Sequence, residues 1–436
     1  MTADPPVGAD LEAIEEERLE RQTDEGAQEL RSTRELVLTG APWPEAAAPE
    51  ETMVVNMGPQ HPSTHGVLRV MMELEGEVVL RAKPVIGYLH TGMEKTGEEL
   101  TYIQGGTNVT RMDYAACLSN ELVYSLAVER LCGLEIPPRA TWARMMLVEL
   151  QRMASHLLFQ ATNGMDIGAV SMMLYGWRER EEVLRLLERI TGLRMNHNFI
   201  RVGGIAADLP DGWEEATLAV CDRVEAGVRE YDALLSENPI WLERTVGVGV
   251  ITTAEALALG ASGPILRSTG YPWDLRRAQP YLAYDEVDFD VVYTTNGDCY
   301  DRYRIRLQEI LESARIVRQC VERMPDGDYR TQDKKVTPPP RARIDESMEA
   351  LIHHFKLFTE GFGVPAGETY VAIESPRGEI GCYLVADGTS RPVRMHIRGP
   401  SFYNLQVMEP MMRGHLVADA VAVISSVDPI MGEVDR

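Results

Sequence analysis

At 436 residues, with 44% apolar side chains, the chain is long enough for one large core or two ordinary domains. No stretch approaches the roughly 20 consecutive apolar residues of a membrane-spanning helix, so no span is expected. A formal net charge of −24 argues against a general nucleic-acid binder, because phosphate recognition needs clustered Lys and Arg.

Residues 1–52 carry 14 acidic against 4 basic side chains and read as a poorly ordered acidic tail, with a charged helix conceivable over 11–30 and a linker over 41–49. This N-terminus lacks the charged, apolar and small-residue segments of a secretory signal, so a cytoplasmic location is expected. From Met53 the pattern changes. Residues 67–74 and 78–83, rich in Val, Leu and Met around Gly76, predict a hairpin. Helical periodicity then dominates over 118–131, 141–160, 180–193, 212–236, 301–324 and 347–361. The second of these is apolar on more than one face and belongs inside a bundle. Strands return at 369–374, 380–385 and 393–397, separated by turns at Pro376-Arg377-Gly378 and Asp387-Gly388, before a last helix over 404–424. The expected fold is α+β and mainly α. A tail over 1–52 precedes one domain over 53–436, in which an N-terminal β region (53–90) and a C-terminal β/α region (369–436) meet around a central helical bundle (100–361), with small antiparallel sheets at both ends.

Six cysteines lie far apart, none at C-x-x-C spacing, so the chain is not expected to bind zinc or an iron–sulfur cluster with its own thiols. His61 and His65 are four apart, a spacing that could place two metal ligands on one helix face. Pro62, Gly58-Pro59 and Gly66 instead make the segment a turn, and no third ligand stands nearby. These histidines either satisfy buried backbone groups or serve in chemistry. Tyr114, in Arg111-Met112-Asp113-Tyr114, reads locally as a core aromatic. Asp166, in Asn163-Gly164-Met165-Asp166, reads as a helix-end residue. No G-x-G-x-x-G or Walker sequence occurs, which disfavours nucleotide chemistry by this chain alone.

The runs from Asn56 to Arg69 (with His61-Pro62-Ser63-Thr64-His65-Gly66), Gly87-Tyr88-Leu89-His90-Thr91-Gly92-Met93-Glu94-Lys95 and Arg111-Met112-Asp113-Tyr114 closely resemble the D-type subunits of NADH-quinone oxidoreductase, respiratory complex I. The resemblance runs from about residue 53 to the end. That family is similar in turn to the large subunit of nickel–iron hydrogenases, whose metal is held by Arg-x-Cys-x-x-Cys and a terminal Asp-Pro-Cys-x-x-Cys. In Asp428-Pro429-Ile430-Met431-Gly432-Glu433 the cysteine slots read Ile430 and Glu433; the N-terminal slots read Asp113 and Ala116. Nickel–iron ligation needs those thiolates, so a hydrogenase-like fold without hydrogenase activity, and with no metal ligands, is implied.

The resemblance implies a peripheral-arm component of a proton-pumping enzyme that reduces a quinone headgroup. By family position His65 and Tyr114 would hydrogen-bond the two quinone oxygens and give up protons to them, and Asp166 would be the acidic partner of the histidine. The resemblance places the complex's FMN, NADH site and iron–sulfur clusters in other subunits, with electrons arriving from a terminal cluster in a partner. Expected partners are the protein that holds that cluster, the C-type subunit and the membrane protein forming the quinone channel, which would put the chain peripherally on the cytoplasmic face of the membrane. Two positions depart from the family: Thr91 stands where many relatives carry arginine, and Asn196 where many carry histidine, with His197 adjacent. Two other readings exist: a scaffold that only docks partners, and a free-standing metal enzyme using His61, His65, His90 and His156.

Overall fold

The computed structural model describes residues 52–61 and 64–436; the expected acidic tail over 1–52 lies, but for its last residue, outside them. Val54 to Arg436 form one compact unit. Its first sheet has the order β1 (Thr52–Met57), β2 (Arg69–Glu75), β3 (Val78–Val85). Strands β2 and β3 are the expected hairpin, turning at Gly76, whose φ of +61° glycine adopts without steric cost. Then come α1 (Met93–Glu99), α2 (Tyr102–Val109), α3 (Cys117–Cys132), α4 (Pro138–Asp166), α5 (Ser171–Thr191), the short pair β4 (Ile200–Arg201) and β5 (Gly204–Ile205), α6 (Trp213–Tyr231), α7 (Cys299–Arg323) and α8 (Met348–Glu360). A second antiparallel sheet, β6 (Gly367–Ser375), β7 (Gly378–Ala386) and β8 (Arg394–Arg398), precedes α9 (Val417–Val427) and α10 (Met431–Asp435). This is the mainly helical α+β arrangement expected. Among the described residues, no helix is long and apolar enough to cross a membrane.

Helix α4 is the axis of the bundle. It begins with proline at its first turn, where the missing N–H costs nothing, and it runs 29 residues to Asp166. Met145, Met146, Leu147, Val148 and Leu150 are all fully buried, so the helix presents apolar surface in every direction, to α5 on one side and α7 on another. It also carries charge into the interior. Glu149 binds Arg152 and Arg276 and accepts hydroxyl bonds from Tyr284 and Ser313. Arg276 also pairs with Asp274. Arg267 joins Glu309 to Glu374, both at 2.7 Å, and His156 Nε2 meets Glu309 at 2.8 Å.

Burial holds His156 neutral, down to about 4, against the pull of Glu309. Its folded value is depressed, so between about pH 6.5 and about pH 4 the unfolded chain binds a proton that the folded chain refuses. This group's contribution to stability is present above about pH 6.5, declines as pH falls across that window, and levels off below it. The variant His156→Gln is expected to show a shallower loss of stability over that window than the wild type, read from denaturation midpoints at its two ends.

The ends of the domain meet as expected. Val79 N–H donates to the His415 carbonyl and Gly414 N–H to the Val79 carbonyl, both at 2.8 Å. Val70, Met72 and Leu74 of β2 join Met408, Met411, Val423 and Ile424 in a second core, separate from that of the bundle. One expectation needs correction. The helix over 404–424 is broken into Pro400–Asn404, Leu405–Val407, Met408–Met412 and α9, because Pro410 supplies no N–H and Gly414 turns the chain at φ +80°.

Candidate functional site

Two of the residues singled out in the sequence, His65 and Tyr114, feel the charge of a buried arginine that was not among them. Arg377 sits in the turn joining β6 to β7, where an arginine ordinarily faces water. The turn is pressed inward instead: a Cβ on Gly378 would lie 2.8 Å from Gly263 N, and one on Gly263 would lie 2.5 Å from the Arg377 carbonyl. Asn404 Nδ2 donates to that carbonyl at 3.0 Å. Thus clamped, the guanidinium donates to Asp113 Oδ2 at 2.9 Å and Ser155 Oγ at 3.1 Å, and its Nε donates to the Asp428 carbonyl at 3.1 Å. The Asp428 carboxylate lies 3.1 Å from Nη2.

Tyr114 is placed by its neighbour. Asp113 Oδ1 accepts the N–H groups of Ala115 and Ala116 at 3.0 and 3.1 Å, and Asn120 Nδ2 holds the Asp113 carbonyl at 3.2 Å. These bonds fix the tight turn that leads into α3. The Tyr114 ring is half-buried. Burial pushes its phenol up, while Arg377 pulls it back by stabilising the phenolate.

His65 enters from the turn before β2. Thr64, fully buried, ties that turn together by donating its hydroxyl to the carbonyls of His61 and Pro59 at 2.9 and 3.1 Å. His65 itself holds φ at +55°, a left-handed conformation that costs a non-glycine residue about 1 kcal/mol. Burial lowers its imidazole below the usual range; Asp428 and Asp166 raise it, and Arg377 lowers it. Asp166, the last residue of α4, feels His65 and His61 in return, but burial outweighs both and pushes its carboxyl up. Its influence on His65 is therefore electrostatic, and no hydrogen bond joins the two among the described residues. His65 and Tyr114, from opposite ends of the β2–α3 region, thus stand in the field of the same Asp428–Arg377 pair.

The terminal motif closes the other side. Asp428 ends α9 at φ +55°, which aspartate tolerates, and Glu433 on α10 accepts from Ser401 N–H at 2.9 Å. Gly432 is needed where it stands: a Cβ there would lie 2.5 Å from the Met112 carbonyl and 3.3 Å from Tyr114 Cδ1. Burial and then the neighbouring Asp113 push the Glu433 carboxyl up. Asp435 receives the N–H groups of Gly87 and Leu89 at 2.9 and 2.7 Å, and its carbonyl meets His90 Nδ1 at 2.7 Å. The motif around Leu89 thus serves to lock the terminus.

Other expected groups have separate occupations. His90 and His156 are bound to Asp435 and Glu309, so the four histidines of the metal-enzyme reading do not share partners. Among the described residues, no three His, Cys, Asp or Glu side chains are grouped as metal ligands. His197 is buried, held down to about 4, with Nδ1 against Thr191 and the Leu193 carbonyl. Asn196 accepts a weak bond from Cys117 at 3.5 Å, and Thr91 is exposed. Burial pushes the Cys117 and Cys221 thiols up to about 12.

The family model described as "Respiratory-chain NADH dehydrogenase, 49 Kd subunit" matches residues 166–436. The chain belongs to that family. It is 53% identical over 396 residues to the second D-type NADH-quinone oxidoreductase subunit of Roseiflexus sp., covering 90% of this chain and 95% of that one. To the D-type NADH-quinone oxidoreductase subunit of Saccharopolyspora erythraea it is 49% identical over 435 residues, covering 95% of each. The family resemblance read from the sequence is thus matched by relatives that align with 90% and 95% of the chain, and the chain is a component of an oxidoreductase complex.

Proposed function

We propose that this chain forms part of the quinone-reduction site of a proton-translocating NADH-quinone oxidoreductase, as a peripheral component on the cytoplasmic face of the membrane. Quinone is its substrate. NADH and FMN bind other subunits, and two electrons come from an iron–sulfur cluster in a partner, which suits a chain whose cysteines are dispersed. The neighbours would be the protein that holds that cluster, the C-type subunit and the membrane protein that forms the quinone channel.

The observation that carries this reading is the buried Asp428–Arg377 ion pair, whose charges act on both His65 and Tyr114. Reduction to the quinol adds two electrons and two protons, so each quinone oxygen needs a donor able to release its proton. Burial disfavours the His65 imidazolium, and Asp428 and Asp166 offset part of that. Burial likewise disfavours the Tyr114 phenolate, and Arg377 offsets part of that. One group is thus charged when holding its proton and the other when releasing it, and the carboxylates and guanidinium serve those two states separately.

Photoaffinity labelling of the assembled complex with a quinone analogue tests this. Label is expected on the segments around His65 and Tyr114; label confined elsewhere favours the scaffold reading. Asp166→Asn is expected to lower turnover only about tenfold, because it removes a distant stabilising charge and no proton donor. It should also shift the alkaline limb of the rate profile to lower pH, since the imidazolium that donates the proton loses one of the two carboxylates that favour it. An unmoved limb would separate Asp166 from His65.

A further inference from the structure

Helix α8 turns its apolar side outward. Met348, Leu351, Ile352, Phe355 and Phe358 recur at the three- and four-residue spacing that lines one helix face, yet all five are exposed, Phe355 by 66%, and Leu357 alone of the helix's described residues is buried. A contiguous stripe of large apolar side chains on a surface marks a place of contact.

Phe358 also lines a cavity of about 60 Å³, together with Leu357, Phe362 and Tyr102 of α2. At about 10–15 Å³ for each water-sized sphere, the space suits one branched aliphatic side chain and is too small for a lipid chain or a nucleotide. Tyr102 is buried with its ring stacked on Phe362 at 6.0 Å, and its hydroxyl has no hydrogen-bond partner among the described residues. Two guanidinium groups share the same lining: Arg201 of β4, and Arg330 of the segment that bridges to Gly204 of β5. Arg201 donates to the Asn198 carbonyl and Arg330 lies over the Tyr329 ring; among the described residues neither is in an ion pair. Arg201 feels the like charge of Arg330. Glu121, whose charge offsets this, is occupied by the N–H groups of Asn198, Phe199 and Ile200. The stretch that follows keeps the sign, with five basic side chains against one acidic over residues 330–343 in a chain of net charge −24.

We propose that this face is where a neighbouring protein of the oxidoreductase complex docks, through a segment that puts one aliphatic side chain into the cavity and a carboxylate against Arg330 and Arg201. The proposal rests on membership of a complex and is independent of the quinone-site reading. The partner's apolar residues cover the α8 stripe, its carboxylate relieves the repulsion between the two guanidinium groups through charge-assisted hydrogen bonds, and an acceptor on the same segment satisfies the Tyr102 hydroxyl. An anionic membrane surface would cover the stripe and meet the basic stretch, but fluid acyl chains offer no acceptor to a hydroxyl in a walled cavity. The cavity and its unpaired hydroxyl therefore favour a protein segment.

The test is photo-crosslinking in the assembled complex, with p-benzoylphenylalanine in place of Phe355. Irradiation is expected to join this chain to a single neighbouring protein, at a peptide that carries an aliphatic residue beside an Asp or Glu. Attachment to lipid, to a second copy of this chain or to a peptide without an acidic residue overturns the proposal, and so does the absence of any attachment. Charge is tested separately at Arg330. Arg330→Glu sets like charges against each other and is expected to lower the recovery of complex about tenfold or more, whereas Arg330→Lys keeps the charge and should be recovered nearly as well as the wild type. Wild-type recovery of Arg330→Glu, or an equal loss in both variants, overturns it.

Discussion

Tyr114→Phe and His65→Ala, each made in the complete complex, are expected to cut quinone reductase activity by about 10²–10⁴-fold, the usual worth of a positioned proton donor, while the complex still assembles. Phenylalanine keeps the ring that packs beside Gly432 and deletes only the hydroxyl. Alanine at 65 removes an imidazole that is half-buried and leaves the Thr64 bonds that shape its turn. Electron transfer from NADH to an artificial acceptor upstream should be unchanged in both variants, which separates loss of the site from loss of the complex. Full quinone reductase activity in both would refute the assignment.

Arg377→Met should have the largest structural effect. Methionine fills most of the space, but Asp113 and Asp428 are then buried without their cation. Removing one partner of a buried ion pair costs about 3–5 kcal/mol, because the remaining charge is uncompensated. Assembled complex should be scarce, and the denaturation midpoint of what remains should drop. The deficit should narrow as pH falls. Burial already pushes Asp113 up, and without Arg377 it would protonate more readily, relieving the penalty. A deficit independent of pH would mean that shape, and not charge, is what Arg377 supplies.

The elements that repeat an apolar period were legible in the sequence: 118–131 became Cys117–Cys132 and 301–324 became Cys299–Arg323. A long amphipathic or fully apolar run leaves the chain few alternatives. The last helix was misread because Pro410 and Gly414 act locally while the apolar run continues through them. Of the candidate site, His65, Tyr114 and Asp166 stood in motifs, and the charges of Asp428 and Arg377 act on both His65 and Tyr114. Arg377 gave no signal, since a Pro-Arg-Gly turn between strands reads as solvent-facing. Its burial follows from the fit of Gly378 against Gly263, a close approach between distant segments that no periodicity encodes. Asp166, expected as the acidic partner of the histidine, acts on His65 through space.

The bond from Arg377 to Asp113 joins positions 264 apart in the chain, and that from Gly87 to Asp435 joins positions 348 apart. Closing such long loops is slow and is rewarded only when the whole domain is in place. A molecule seated against His65 and Tyr114 would therefore brace both sheets, the bundle axis and the terminal helices at once. Its affinity should be readable as a rise in the melting temperature of the entire domain, so heat resistance could rank inhibitors where turnover cannot be measured.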